Sequence, residues 1–267
     1  MDKKSIVSLV VDIGNTTTVI GLFKDKELVD KTTYPSTLDI SSSFDQAESL
    51  YKDFVLKNPL TKELDGILIS SVVPGLTHYI EICLRHFVGK DARILDISMV
   101  KDLKMDIDNP NEVGGDLLAA LVATKELYSF PSVIVDLGTV SKFLALDKEG
   151  TFVGASFAPG LKSSFYAMSG TTALLPDIDK VKERIQSDVP QYFGKNTVSC
   201  MRSGIYWSCV SYVESISRNI SKSLGGAKLI LTGGYSKYIY EVLKKDDFIY
   251  DPDLVLKGLN LIYLKNR

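Results

Sequence analysis

Apolar positions along the chain fall into short runs, and most of these runs end on small or acidic residues. The first, Leu9-Val10-Val11, reaches Asp12-Ile13-Gly14, passes Asn15-Thr16-Thr17 and resumes as Thr18-Val19-Ile20-Gly21-Leu22-Phe23. Two β-branched stretches around a Gly-Asn turn predict a hairpin over residues 5–23. Residues Leu28–Tyr34 predict a third strand after the polar turn Lys24-Asp25-Lys26. The period then changes to that of a helix at Phe44, Ala47, Leu50, Tyr51, Phe54 and Val55, with Ser43 and Gln46 as a capping box. The run Gly66–Val73 is apolar on both faces, as in a central parallel strand covered by helices. Thr77 is expected to cap the next helix, whose stripe is Ile80, Cys83, Leu84 and Phe87. A polar stretch over 101–113 holds the turn signal Asn109-Pro110 and leads into Gly114-Gly115-Asp116 and a helix from Leu117 to about Tyr128.

After Pro131 the opening pattern returns. Val133-Ile134-Val135-Asp136-Leu137-Gly138-Thr139 repeats Leu9-Val10-Val11-Asp12-Ile13-Gly14-Asn15. Each copy continues into an apolar strand, a charged turn and a third strand. Leu68–Gly75 late in the first half also matches Leu229–Ser236 late in the second. Two such halves, residues 1–130 and 131–267, imply a duplicated α/β domain that holds a nucleotide in the cleft between the copies. The Gly233-Gly234 turn would leave room there for a purine against bare backbone.

Charge narrows the partners. Thirty-one basic against 33 acidic residues give a net charge of −2, with no basic field to hold nucleic acid. The N-terminal apolar run meets Asp12 too soon for a signal peptide or membrane span, so a cytoplasmic protein without a membrane partner is expected. Cys83, Cys200 and Cys209 lack metal-ligand spacing, and only two histidines are present. His78 and His86 read as partly exposed surface residues.

Two features could carry chemistry. An Asp-x-Gly hairpin can line a phosphate chain with backbone N–H groups and small hydroxyls while its carboxylate serves a cation or water; it can also be an ordinary hairpin. Asp116 begins a helix, where it can act as a cap, or as a base facing a ligand that approaches over Gly114 and Gly115. The long helical pattern 197–224 presents Val198, Met201, Ile205, Cys209, Val213 and Ile216 on one side, suited to core packing or to a dimer seam.

Six pieces in order carry a resemblance: Asp12-Ile-Gly-Asn-Thr-Thr-Thr-Val19, Asn109-Pro-Asn-Glu-Val-Gly-Gly-Asp116, Asp136-Leu-Gly-Thr139, Ala158-Pro-Gly-Leu161, Ala173-Leu-Leu-Pro176 and Gly194-Lys-Asn-Thr197. The first resembles the hairpin of the acetate and sugar kinase, Hsc70 and actin superfamily. Together they resemble the type III pantothenate kinases. The resemblance implies two duplicated ribonuclease H-like (actin-like) domains, a homodimer, and ATP-dependent phosphorylation of pantothenate, the first step toward coenzyme A. By that analogy Asp12, Ile13, Gly14, Asn15, Thr16, Thr17, Thr18, Val19 and Thr139 bind ATP with Mg2+. Asp116 is the general base, and Gly114, Gly115, Asp116, Leu117 and Thr197 meet the substrate. Asp136 coordinates a monovalent cation, K+ or NH4+.

The chain departs from the family's usual residues on the acceptor side. Leu117 stands for Arg, Ile107 for Tyr and Ala120 for Asn, and a run of Thr reads Val140-Ser141-Lys142. An arginine would pair with the acceptor's carboxylate as a fork; Lys142 or Lys162 would have to supply that partner. A kinase for another small hydroxylated acceptor, or a weakly active nucleotide-binding regulatory paralogue, are the alternatives.

Overall fold

The computed structural model describes residues 5–36, 52–172, 174–176, 188–244 and 247–267. The capping box at Ser43 and Gln46, and the helical positions Phe44, Ala47, Leu50 and Tyr51, lie outside the described residues, as does Ala173. Residues 52–57 are helical, and Phe54 is buried in the core beside Leu64 and Ile67.

The chain forms two compact units. The first comprises Met1–Leu103, Asp108–Leu127 and Leu254–Arg267; the second comprises Lys104–Ile107 and Tyr128–Asp253. In the first unit β1 (Val7–Ile13), β2 (Thr17–Lys24) and β3 (Glu27–Pro35) form an antiparallel meander. On its other side β1 pairs in parallel with β4 (Gly66–Ser71), and β4 with β5 (Ala92–Ile94). The parallel β4–β5 pairing requires a crossover, which α1 (Pro74–Val88) supplies. Pro74 opens α1 where a missing N–H costs nothing. Thr77 is therefore inside the helix rather than its cap. Its hydroxyl donates to the Val73 carbonyl at 2.9 Å and also bonds Ser71. His78 and His86 are exposed on α1, as expected.

The second unit repeats this plan. Its strands are β6 (Ser132–Leu137), β7 (Val140–Leu146), β8 (Phe152–Pro159), β9 (Lys228–Thr232) and β10 (Phe248–Tyr250). The sheet orders are β3-β2-β1-β4-β5 and β8-β7-β6-β9-β10. In both central strands the three residues before the aspartate, Leu9–Val11 in β1 and Val133–Val135 in β6, are apolar, because each strand is buried on two faces.

Helices complete each unit. In the first, α2 (Gly115–Leu127) is buried along Leu117–Thr124 and has no polar side over that length. In the second, α3 (Leu161–Thr171), α4 (Thr197–Ser223) and α5 (Ser236–Leu243) are added. Asn196 caps α4 by accepting from the Ser199 N–H at 2.8 Å, and Ser199 returns the bond to the Asn196 N–H. The apolar side of α4, including Met201, Ile205, Cys209 and Val213, builds the core of the second unit.

The last helix, α6 (Leu254–Lys265), packs in the first unit, although contiguous halves would leave it with residues 131–267. Two contacts explain the placement. A side chain at Gly258 would strike the Ala119 carbonyl, so α6 and α2 meet backbone to backbone. Buried Asn260 accepts from the Ser8 hydroxyl at 2.6 Å and donates to the Asp25 carbonyl at 2.8 Å.

Candidate active site

The first unit gathers its polar groups at the carboxyl ends of β1 and β4. Asp12, near the end of β1, lies beside Ser70 in the parallel register, and across the hairpin it faces Val19. The turn closes by a bond of 3.0 Å from the Gly14 N–H to the Thr17 carbonyl, leaving Asn15 and Thr17 exposed at the tip. Thr18 turns inward and shares a hydrogen bond with Ser36 at 3.0 Å.

The first turn of α2 reaches the same place. A side chain on Gly115 would come within 2.8 Å of the Ser70 Oγ, so only glycine lets the helix start this close to β4. Gly114 likewise leaves space for the Asp116 carboxylate, whose Oδ1 would lie 2.7 Å from a Cβ there. The Gly114 carbonyl accepts the Leu118 N–H, so the helix begins before Asp116 is reached. Asp116 is the second residue of α2, half-buried, with Oδ1 accepting from the Leu117 N–H at 2.9 Å. The two glycines thus serve packing as well as access, and the carboxylate stands at the positive end of a helix dipole.

Ser70 belongs to this site although no motif marks it. It is 1% exposed, and its hydroxyl has no hydrogen-bond partner among the described residues. Buried hydroxyls are normally paired, and this one lies beside two carboxylate-bearing elements. The only sequence signal for it is its place directly after the apolar stretch Ile67-Leu68-Ile69.

The second hairpin is built differently. Its last register pair is Leu137↔Ser141, against Ile13↔Thr18 in the first, so its tip is residues 138–140 rather than 14–17. The shorter tip puts Lys142 directly opposite Asp136, and its Nζ lies 2.7 Å from Oδ2. The two side chains are 17% and 10% exposed. Gly233 presses on the carboxylate from the neighbouring strand end. It has φ +92°, and a side chain there would strike Asp136 Oδ1 and the Leu137 backbone. Gly233 is thus needed for closure of the strand tips, while Gly234 faces open space.

The remaining motifs anchor this hairpin. Thr139 is exposed at its tip, and its carbonyl accepts from the Gly160 N–H at 3.1 Å and the Ser163 hydroxyl at 2.6 Å. A side chain on Gly160 would collide with the Gly138 and Thr139 carbonyls. From α4, the Tyr212 hydroxyl donates to the Pro159 carbonyl at 2.8 Å and shares a bond with Ser141 at 2.9 Å. Burial raises the Tyr212 hydroxyl above the usual tyrosine range and pushes the Cys209 thiol up to about 11. Gly194 fits against the first turn of α4, where exposed Thr197 is the first residue.

A family model described as Type III pantothenate kinase matches residues 8–219. The chain belongs to the type III pantothenate kinase family. Among its relatives, the type III pantothenate kinase of Listeria monocytogenes serotype 4a is 33% identical over 262 residues, covering 97% of each chain. That of Halalkalibacterium halodurans is 33% identical over 268 residues, covering 97% of this chain and 99% of the other.

Solved structures support the α/β fold of this family member. The Acidaminococcus fermentans (R)-2-hydroxyglutaryl-CoA dehydratase component A aligns with a TM-score of 0.55 at 14% identity, over 98% of this chain and 100% of the other. The activator of the 2-hydroxyisocaproyl-CoA dehydratase from Clostridium difficile, solved with ADPNP bound, gives 0.54 at 12% identity over 98% and 95%. Leu117 and Ala120 are both buried in α2. No helix among the described residues is long and apolar enough to cross a membrane.

Proposed function

We propose that the chain transfers a phosphoryl group from ATP to pantothenate, giving 4'-phosphopantothenate on the route to coenzyme A. The observation that carries this reading is the meeting of Asp12, the unpartnered Ser70 hydroxyl and the first turn of α2 at one end of the first sheet. Phosphoryl transfer asks for little covalent chemistry from the protein. It needs phosphates held in place, charge neutralised, and a carboxylate to orient the attacking hydroxyl.

Residues 12–19 suit the first task, with backbone N–H groups and small hydroxyls at the exposed tip. Asp12 is the candidate to hold Mg2+, directly or through water; when bound, the ion neutralises phosphate charge. Asp116 is the proposed general base, fixed through Oδ1 by the Leu117 N–H. Gly114 and Gly115 admit the acceptor over bare backbone, and Leu117 offers it no charge. On the second unit, Thr139 is the proposed further phosphate contact and Thr197 the further acceptor contact.

Lys142 is committed to Asp136, and Lys162 lies over the Tyr166 ring, 5.3 Å from its centroid. Neither reproduces the fork of an arginine, which favours an acceptor site with weakened hold on the carboxylate. A homodimer is proposed from the family likeness, supported by exposed Phe157, Tyr192 and Phe193 on the second unit. The monovalent cation is the one expected component that the residues present do not fit, since an ammonium already sits on the Asp136 carboxylate.

The test is ADP release by the purified chain with ATP and magnesium, with and without pantothenate. Pantothenate-dependent release is expected. ATP binding without such release would move the assignment to another hydroxylated acceptor or to a regulatory role.

A further inference from the structure

We infer that the Lys142 ammonium takes the place of the free monovalent cation on Asp136, so that this protein binds nucleotide and turns over without potassium or ammonium. The inference deepens the pantothenate kinase reading and rests on it for its turnover arm only.

Four observations support it. Lys142 lies directly opposite Asp136 in the hairpin register, so the pairing follows from the backbone and not from a chance rotamer. The Nζ–Oδ2 separation is 2.7 Å, a full charge-assisted hydrogen bond. Both side chains are largely removed from water, which limits screening and holds the pair together. The carboxylate's other oxygen faces the backbone at Gly233, where no side chain can be accommodated.

A lysine ammonium carries the charge of potassium, and it is an alkylated form of the ammonium ion itself. A second cation brought to the same carboxylate would stand within a few ångströms of Nζ in a poorly solvated place, and like charges repel strongly there. The ion would also bring a binding constant and a concentration dependence. The lysine, fixed to the strand, is present at every salt concentration.

The experiment compares the wild-type chain with Lys142→Thr at matched ionic strength in the chlorides of potassium, ammonium, sodium and N-methyl-D-glucamine. Two readouts are taken: the melting temperature with and without ATP, and pantothenate-dependent ADP release. The wild type should give rates equal within about twofold in all four salts, and its melting temperature should not respond to potassium over sodium. Lys142→Thr should lose about tenfold or more in N-methyl-D-glucamine, regain it in potassium or ammonium, and melt higher in those two salts, because an ion that binds only the folded state stabilises it.

A wild type that needs potassium for turnover, or that potassium stabilises selectively, overturns the inference. So does a Lys142→Thr variant with no cation preference in either readout. If pantothenate elicits no turnover in any salt, the function assignment fails while the melting comparison still decides the role of Lys142. If Lys142→Thr does not fold in any salt, the wild-type salt series alone decides it.

Discussion

The two Asp-x-Gly hairpins share one position in one fold and are put together in different ways. In the first, the residue across from Asp12 is Val19 and the tip spans residues 14–17. In the second, the residue across from Asp136 is Lys142, the tip is residues 138–140, and Gly160, Ser163 and Tyr212 tie the tip and the strands beside it down. Duplication kept the strand order and the aspartate while the surroundings of the carboxylate changed. Asp12 lies beside Ser70, where the first turn of α2 also arrives. Asp136 pairs with a lysine of its own hairpin. A repeat is therefore a guide to architecture and a poor guide to which copy does the chemistry.

The sharpest way to break this contrast is at the base. Asp116→Asn should lower kcat by about 10²–10⁴-fold, the usual contribution of a positioned base, with ATP affinity within about twofold of wild type by calorimetry. If ATP binding is lost together with turnover, Asp116 is holding up the helix start and the first unit has no base there.

The next largest effect concerns stability. Asp136→Asn strands the Lys142 ammonium, and should cost about 3 kcal/mol in urea unfolding, the scale for breaking a mostly buried pair. Asp12→Asn should cost less than about 1 kcal/mol and weaken ATP binding instead. The contrast fails if the two variants lose equal stability. A double-mutant cycle with Lys142→Met should return a coupling of at least about 1 kcal/mol between 136 and 142.

The smallest effect probes the tether from α4. Tyr212→Phe removes one hydroxyl that bonds Pro159 and Ser141, and should cost about 1 kcal/mol without altering ATP affinity at the first hairpin. Thermal unfolding and nucleotide titration check the two halves of that statement.

Much of this was legible in the residues. The hairpins, the parallel strands after them and the repeat all follow from apolar runs punctuated by Asp, Gly and charged turns, because strand burial on two faces leaves a plain hydrophobic signature. The Asp116 region was legible as glycines before an acid at a helix start. What escaped depends on register and on distant contacts. Whether Lys142 faces the substrate or Asp136 turns on a hairpin tip one residue shorter than its twin, 138–140 against 14–17, which shifts the cross-strand partner. Ser70 looks like any strand-end serine until Gly115 is set over it. Thr77 has the composition of a cap, but Pro74 starts the helix earlier. The placement of α6 rests on Gly258 against Ala119 and Asn260 against Ser8, pairs far apart in sequence that no local pattern reveals.

That last placement sets an order of assembly. Strand β1 leaves the ribosome long before the amide that satisfies its Ser8 hydroxyl, which is carried by residue 260. The helix that covers α2 likewise arrives only after the second unit has been synthesised. The unit that begins first is finished last, and until then the face of α2 that meets α6 has no cover from its own chain. A nascent chain stalled before residue 254 would expose that surface for as long as the stall lasts, the condition under which a partly made protein depends on chaperones.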